Sequence, residues 1–211
     1  MNRCFNVEKS VIKSKSNIIC NFFNCNAFMC LYVFENNDKH WYVCRFFVEG
    51  DILGKDIRIM IGDVKFRARA VGVIRKNNKI LFQQRVGDDY WALPGGAIGT
   101  LERSKDVVVR ELEEEIGLKD VKVIRPLWFV EYFFKLDGVT WHQYIIGHLI
   151  DIFDEEIINK DIIKGIEKDK NIIYKWIDIQ DIKNSNIKPN YLKEKLIDIK
   201  DEFEYIEEED L

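Results

Sequence analysis

No cysteine follows Cys44: all 5, Cys4, Cys20, Cys25, Cys30 and Cys44, fall in the first part of the chain. They form no CxxC pair and have only His40 nearby, which argues against a zinc site, and their odd number argues against a tidy disulfide framework. A basic surplus is missing too. Lys and Arg total 32 against 36 Asp and Glu, for a formal net charge of -4 and a pI near 5.6. Such a surface does not suit the backbone of polymeric DNA or RNA, although a small anionic nucleotide stays open because metals can neutralise its phosphates. Long uninterrupted apolar runs are also absent. The stretch around Ile18 to Phe34 is broken by Asn21, Asn24 and Asn26, which are costly in a bilayer core, so it reads as neither a membrane span nor a signal peptide. The default location is the cytoplasm.

What remains is a chain of 211 residues, 47% hydrophobic, able to bury one substantial core. Neither an internal repeat nor a low-complexity linker interrupts the region from Val64 onward. Residues 1–59 are expected to be a dispensable extension, or not translated at all, with Met60 as the start; they show no helix-turn-helix pattern. Residues 60–200 are expected to form a single catalytic domain, and the acidic tail 201–211 is expected to fray.

Alternating and β-branched residues predict strands over Val64–Arg75 and Lys79–Arg85 about a Lys76-Asn77-Asn78 turn. Tyr90 to Leu93 reads as a short strand entering the Pro94-Gly95-Gly96 loop. Val121–Lys135 and Val139–Phe153 flank Asp137-Gly138, a strong hairpin signal. Residues 154–171 read as a charged surface loop with room for a short helix. Ile172–Ile177 reads as a last strand, and Pro189 stands at a helix start, opening a C-terminal helix to about Lys200. A mixed sheet with helices on either side follows from this order, placing the chain in the α/β class.

Between the two hairpins lies the most informative segment, GAIGTLERSKDVVVRELEEEIGL, from Gly96 to Leu118. Ser104 with Asp106 marks a helix start, and at about 100° per residue Glu111, Glu114 and Glu115 share one face. Val108, Val109, Leu112 and Ile116 form the adjoining apolar face. Carboxylates grouped in this way repel one another unless neutralised, and hard oxygen ligands suit Mg²⁺ or Mn²⁺. Glu113 reads as a solvated residue. Arg110, one turn from Glu114, can be an ordinary intrahelical ion pair, and Gly96 and Gly117 can be turn and C-cap glycines.

The spacing Gly96, five residues, Glu102, seven residues, Arg110-Glu111-Leu112, one residue, Glu114-Glu115, one residue, Gly117-Leu118 resembles the Nudix box, with every fixed position filled. The flanking pattern fits from about Val64 to Leu196. The resemblance implies an α/β/α sandwich with a mixed β-sheet between helices, and hydrolysis of a nucleoside diphosphate linked to another group. It implies Mg²⁺ or Mn²⁺ held by Glu114, Glu115 and the Gly96 carbonyl, with Glu111 as ligand or general base. It further implies that Arg110 orients a glutamate and that Glu102 supports the loop. The family often recruits a base or further ligand from outside the box, for which Glu131 and Asp154-Glu155-Glu156 are candidates; relatives of this type tend to carry His-Glu where this chain has His142-Gln143, a departure that bears on that outside ligand. Arg67, Arg69 and Arg85 are candidate phosphate contacts, or solvent-facing strand residues in the case of Arg67 and Arg69. Gln83 and Gln84 are candidates for a ribose or base. Trp91 is a candidate base platform, as are one or two residues of the aromatic run Trp128, Phe129, Tyr132, Phe133 and Phe134. A nucleoside diphosphate sugar such as ADP-ribose is the first substrate expectation. A nucleoside triphosphate, hydrolysed as in the MutT-like branch, is the second, and a non-catalytic nucleotide sensor is the third. Many relatives are dimers, which leaves a homodimer open.

Overall fold

The computed structural model describes residues 28–30, 45–47, 55–167 and 170–211. Expectations for the remaining N-terminal residues, including Cys4, Cys20, Cys25, Cys44 and most of the apolar stretch, lie outside the described residues. The chain divides into two compact units, Met1–Ile52 and Leu53–Leu211. In the first, β1 (Phe28–Cys30) pairs antiparallel with β2 (Arg45–Phe47).

The second unit is built on β3 (Arg58–Ile61), β4 (Val64–Lys76), β5 (Lys79–Arg85), β6 (Gly95–Ala97), β7 (Val121–Leu136), β8 (Val139–Ile152), β9 (Ile162–Lys164), β10 (Ile172–Asp178) and β11 (Glu204–Asp210). The sheet runs β11-β7-β8-β4-β5-β10-β9, with β3 and β6 also paired to β4. It is mixed, because β4 runs parallel to β8 and β11 parallel to β7, while the other pairs are antiparallel. Both hairpins turn on two residues of positive φ, Asn77-Asn78 at 47° and 63° and Asp137-Gly138 at 52° and 74°. These values match the two-residue turns whose twist suits paired strands.

The long helix α1 (Ser104–Ile116) packs Val107, Val108, Leu112 and Ile116 on one face of the sheet, against Ala70, Ile74, Leu81, Ile150 and Tyr174. Its first residue is Ser104, but Arg103 holds the N-cap position without a side-chain cap, and Ser104 Oγ instead lies 3.0 Å from His148 Nε2. The helix stops at Gly117, whose φ of 73° is the left-handed cap conformation. The opposite face packs Trp128, Val130 and Phe82 against Ile182, Ile187, Tyr191, Leu192 and Leu196.

Three C-terminal and loop expectations are corrected. The helix expected from Pro189 to Lys200 is only α3 (Leu192–Lys195), preceded by a 3-10 turn over Ile179–Asn184. Its apolar residues, Tyr191, Leu192 and Leu196, are anchored in the core, so tertiary packing outweighs helix length. The acidic tail is ordered: β11 buries Ile206 against that core and pairs along β7 from Trp128 to Phe134. Backbone pairing with an edge strand satisfies peptide groups that composition alone would leave to water. Tyr90–Leu93 is not a strand but two isolated bridges, Gln83 with Ala92 and Trp91 with Ile187. Within residues 154–171, α2 (Glu155–Ile158) appears as expected, together with the additional strand β9.

The expected boundary after residue 59 falls inside β3. Residues ahead of it are tied to the glycine-rich loop: Ile57 N–H donates to Ile98 O at 2.8 Å, and Thr100 N–H donates to Lys55 O at 2.8 Å. No helix among the described residues is long and apolar enough to cross a membrane.

Ile206→Ala should cost about 2–5 kcal/mol, the range for truncating a buried isoleucine. Urea unfolding would check this, and a loss below about 0.5 kcal/mol, typical of exposed positions, would mean that the segment contributes no core.

Candidate functional site

Three elements converge at the site: β6 supplies Gly95 and Gly96, the following loop supplies Glu102, and α1 supplies the remaining box residues. At Gly95, φ is 145°, and a Cβ would stand 2.1 Å from Ala70 O. Only glycine lets β6 lie this close on β4. A Cβ at Gly96 would stand 2.0 Å from Glu111 Oε1. The glycine therefore makes room for the Glu111 carboxylate, a tertiary reason for a residue that spacing alone leaves as a turn.

Arg110 joins the parts. Its Nε donates to Glu102 Oε1 at 2.8 Å, its Nη1 donates to Glu111 Oε1 at 2.8 Å and to Glu114 Oε2 at 3.0 Å, and its Nη2 donates to Ala97 O at 3.4 Å. Glu102 Oε2 also accepts from Gly99 N–H at 2.9 Å. The hydrogen bonds from Arg110 hold the Glu102 carboxyl below its ordinary pKa, and those same bonds raise the pKa of Arg110. The intrahelical pair with Glu114 and the orientation of Glu111 thus coexist on one guanidinium, whose planar fork suits this multiple contact.

Glu111 and Glu115 are buried, at 7% and 3% exposure, whereas the Glu114 side chain is half exposed. Burial of a carboxylate is unfavourable without compensation. Glu115 accepts from Tyr174 Oη and from Lys170 Nζ, the latter at 3.1 Å. Burial pushes the Glu115 pKa up in spite of these two bonds, and the neighbouring Glu111 adds to the rise. Lys170 Nζ also lies 3.6 Å from Glu111 Oε2 and 2.6 Å from Glu167 Oε2. Burial lowers the Lys170 pKa, but its carboxylate partners outweigh that and leave it raised.

One ammonium thus stands among three carboxylates, two of them in the box. Among the described residues, no group of three or more His, Cys, Asp or Glu is already gathered tightly enough to hold a metal; Glu114 turns to Arg110 while Glu111 and Glu115 turn to Lys170. The donor set still fits a hard divalent cation. It consists of oxygen ligands that are partly desolvated and already neutralised by a positive charge. Glu111, Glu114, Glu115 and the Gly96 carbonyl are the groups that could hold one, and Glu167 is within reach of the same ammonium.

Beyond the box lies a cleft of about 670 Å³, lined in part by Arg69, Tyr132, Phe134, Gln143, Tyr191 and Asp210. Arg69 links the two regions, donating from Nη2 to Gly95 O at 3.1 Å, while its buried Nε has no hydrogen-bond partner among the described residues. Burial lowers its pKa against the favourable pull of Glu115 and Glu111. Arg67 lies two residues before it, half-buried, with its guanidinium 5.1 Å from the Trp141 ring and its Nε likewise unpartnered. Neither arginine points freely to solvent.

Other expected site residues stand apart. Arg85 is exposed at the end of β5. Trp91 lines a separate groove with Lys175 and Trp176, because its backbone is drawn to Ile187 rather than to the cleft. Gln84 donates to Asp88 O, and Gln83 Oε1 is buried without a partner. Glu131 is engaged by His142 and Tyr205, Asp154 caps α2, and Glu156 pairs with Lys160. Lys170, Glu167 and Tyr174 escaped sequence reasoning because they are 55 or more residues from Glu111 or in ordinary strand and loop contexts. No local spacing signals them; only the pairing of β10 with β5 brings Tyr174 beneath α1.

The NUDIX domain model matches residues 66–196, more than half of the chain. The chain belongs to the NUDIX family. A crystal structure of a NUDIX hydrolase from Nitrosomonas europaea is similar in fold, with a TM-score of 0.52 at 12% identity over 88% of this chain and 97% of that one. The RNA pyrophosphohydrolase of Stutzerimonas stutzeri is 38% identical over 69 residues, 31% of this chain and 43% of that protein. This chain thus spans less than half the length of that relative. The 8-oxo-dGTP diphosphatase of Buchnera aphidicola is 29% identical over 129 residues, covering 58% of this chain and 85% of that protein. The NUDIX match contains both Gly96 and the whole of α1, so the family assignment and the carboxylate site coincide in the chain.

Two substitutions test this geometry. Gly96→Ala should displace Glu111 and weaken Mn²⁺ binding by about 10–100-fold, the scale for disturbing groups that orient metal ligands; unchanged affinity by electron paramagnetic resonance would show that the close contact is irrelevant. Lys170→Met should tighten Mn²⁺ binding several-fold by removing a competing cation, and weaker binding would mean that the ammonium does not occupy the cation's place.

Proposed function

We propose that this chain is a divalent-metal-dependent hydrolase of nucleotide phosphoanhydrides. The observation that carries the reading is the pair of buried carboxylates, Glu111 and Glu115, which share the Lys170 ammonium while Glu111 fills the space beside Gly96. NUDIX hydrolases generally use a divalent metal, and the all-oxygen donor set here suits Mg²⁺ or Mn²⁺. When bound, the cation would polarise phosphoryl oxygens and lower the pKa of the attacking water.

The chain's own residues do the rest. Glu114 and Glu115, with the Gly96 carbonyl, would hold the cation, and Glu111 would serve as a ligand or as the base that takes the proton of water. Arg110 fixes the orientation of Glu111, and Glu102 fixes Arg110 from the loop side. Arg69, with Arg67 two residues before it, offers donors to the phosphate oxygens, a favourable exchange because both arginines are partly desolvated and, among the described residues, neither is in direct ion-pair contact with a carboxylate. The start of α1 adds the positive end of its dipole.

A nucleoside diphosphate linked to a sugar is the first substrate proposed. A MutT-like action on a nucleoside triphosphate is the second, favoured by a match that extends over 85% of the 8-oxo-dGTP diphosphatase. A small nucleotide suits the net charge of -4 better than a nucleic-acid polymer does. The filled carboxylate set favours turnover over a purely sensing role. Of the extension expected over residues 1–59, the unit Met1–Ile52 is proposed to be dispensable for this chemistry, and N-terminal sequencing of the native protein would show whether it is present.

Phosphorus NMR of the products separates the two substrates: nucleoside monophosphate with a sugar phosphate supports the first, and inorganic pyrophosphate the second. Glu114→Gln with Glu115→Gln should abolish Mg²⁺-dependent turnover in a protein that retains its circular dichroism. Robust activity in that double variant would remove the site assignment.

A further inference from the structure

We propose that Asp210, delivered by β11, makes the cleft selective for a guanine base. The inference rests on the reading of this chain as a nucleotide phosphoanhydride hydrolase and specifies which nucleotides the same site takes.

The cleft has two chemically distinct ends. At one end Arg69 is partly buried, its buried Nε has no hydrogen-bond partner among the described residues, and its Nη2 donates to Gly95 O beside the carboxylate site. That end suits phosphate. At the other end Asp210 stands against Tyr132, whose hydroxyl donates to Asp210 Oδ2 at 2.8 Å. Tyr132 is buried, at 7% exposure, so its hydroxyl anchors one oxygen of the otherwise exposed Asp210 carboxylate and leaves Oδ1 to a ligand. The cleft is lined by flat rings: Tyr132 and Phe134 stack at 4.6 Å and 18°, and Tyr191 also lines it. Planar walls suit a base better than a puckered sugar.

An ionised carboxylate only accepts hydrogen bonds. Guanine presents two adjacent donors, N1–H and the 2-amino group, followed by a carbonyl oxygen. Adenine presents one donor beside an acceptor, and an acceptor facing Asp210 would be repelled. Gln143 completes the pattern. It is 4% exposed, lines the same cleft and pairs in register with Tyr132, so its amide can donate to the guanine carbonyl. The register also explains the delivery of Asp210: it pairs with Phe134 at the end of the β11–β7 ladder, which sets its carboxylate beside the Tyr132 ring two residues back.

The experiment compares kcat/KM for guanine and adenine members of each linkage, the triphosphates and the diphosphate sugars, with wild-type protein and Asp210→Asn. The wild type should favour guanine by roughly 10–100-fold, the scale of a charge-assisted hydrogen-bonded pair. Asp210→Asn should collapse that ratio, through loss of guanine kcat/KM and relief of the repulsion that disfavours adenine, in a protein that retains its circular dichroism. Equal use of both bases by the wild type overturns the proposal without reference to any variant. So does an equal loss of guanine and adenine turnover in Asp210→Asn accompanied by weaker binding of ribose 5-phosphate, since the carboxylate would then be reading a sugar hydroxyl. Hydrolysis of neither linkage would instead overturn the underlying hydrolase reading, so the two failures are distinguishable.

Discussion

A carboxylate placed where a side chain would otherwise stand is the constraint on which the site depends. Glu111 occupies the space that a Cβ at Gly96 would fill. β6 can present that glycine only because Gly95 lies against the backbone of β4. The contact couples the central strand, the glycine loop and the long helix, and Arg110 then ties the helix to Glu102 on the loop. Removing any one of these would release the others, since their positions are mutually determined rather than set by local propensity.

Charge is distributed in the fold with a similar economy. The buried acids Glu111 and Glu115 lie on α1, and the partly buried Arg69 lies on β4, so opposite charges act on one another across the glycine loop. Desolvation raises the pKa of Glu115 and lowers that of Arg69; each is thereby held in a state that gains from a partner of opposite sign. A cation and a phosphate together supply such partners. Lys170 meets part of this need from within the chain, as an ammonium confined among Glu111, Glu115 and Glu167.

The C-terminal segment shows how composition can mislead. Glu204, Glu207, Glu208, Glu209 and Asp210 read as a solvated tail, yet Ile206 anchors the segment in the core and seven backbone positions align with β7. The edge position lets the acids alternate toward water while the peptide groups are satisfied by the neighbouring strand. The same docking turns Asp210 from a tail residue into a wall of the cleft.

The 3.6-residue period, the glycine positions and the acidic spacing of residues 96–118 determined the start of α1 at Ser104 and the family, because those are properties of consecutive residues on one helix and its entry loop. Both hairpins were likewise legible, since Asn77-Asn78 and Asp137-Gly138 carry their turn geometry locally. Long-range pairing decided what local pattern could not: that Trp91 leaves the cleft while Arg69 enters it, that Tyr174 and Lys170 meet Glu115, and that the tail becomes a strand. Each of these depends on which strands lie side by side, and a free energy shared between distant segments leaves no periodic trace in either of them.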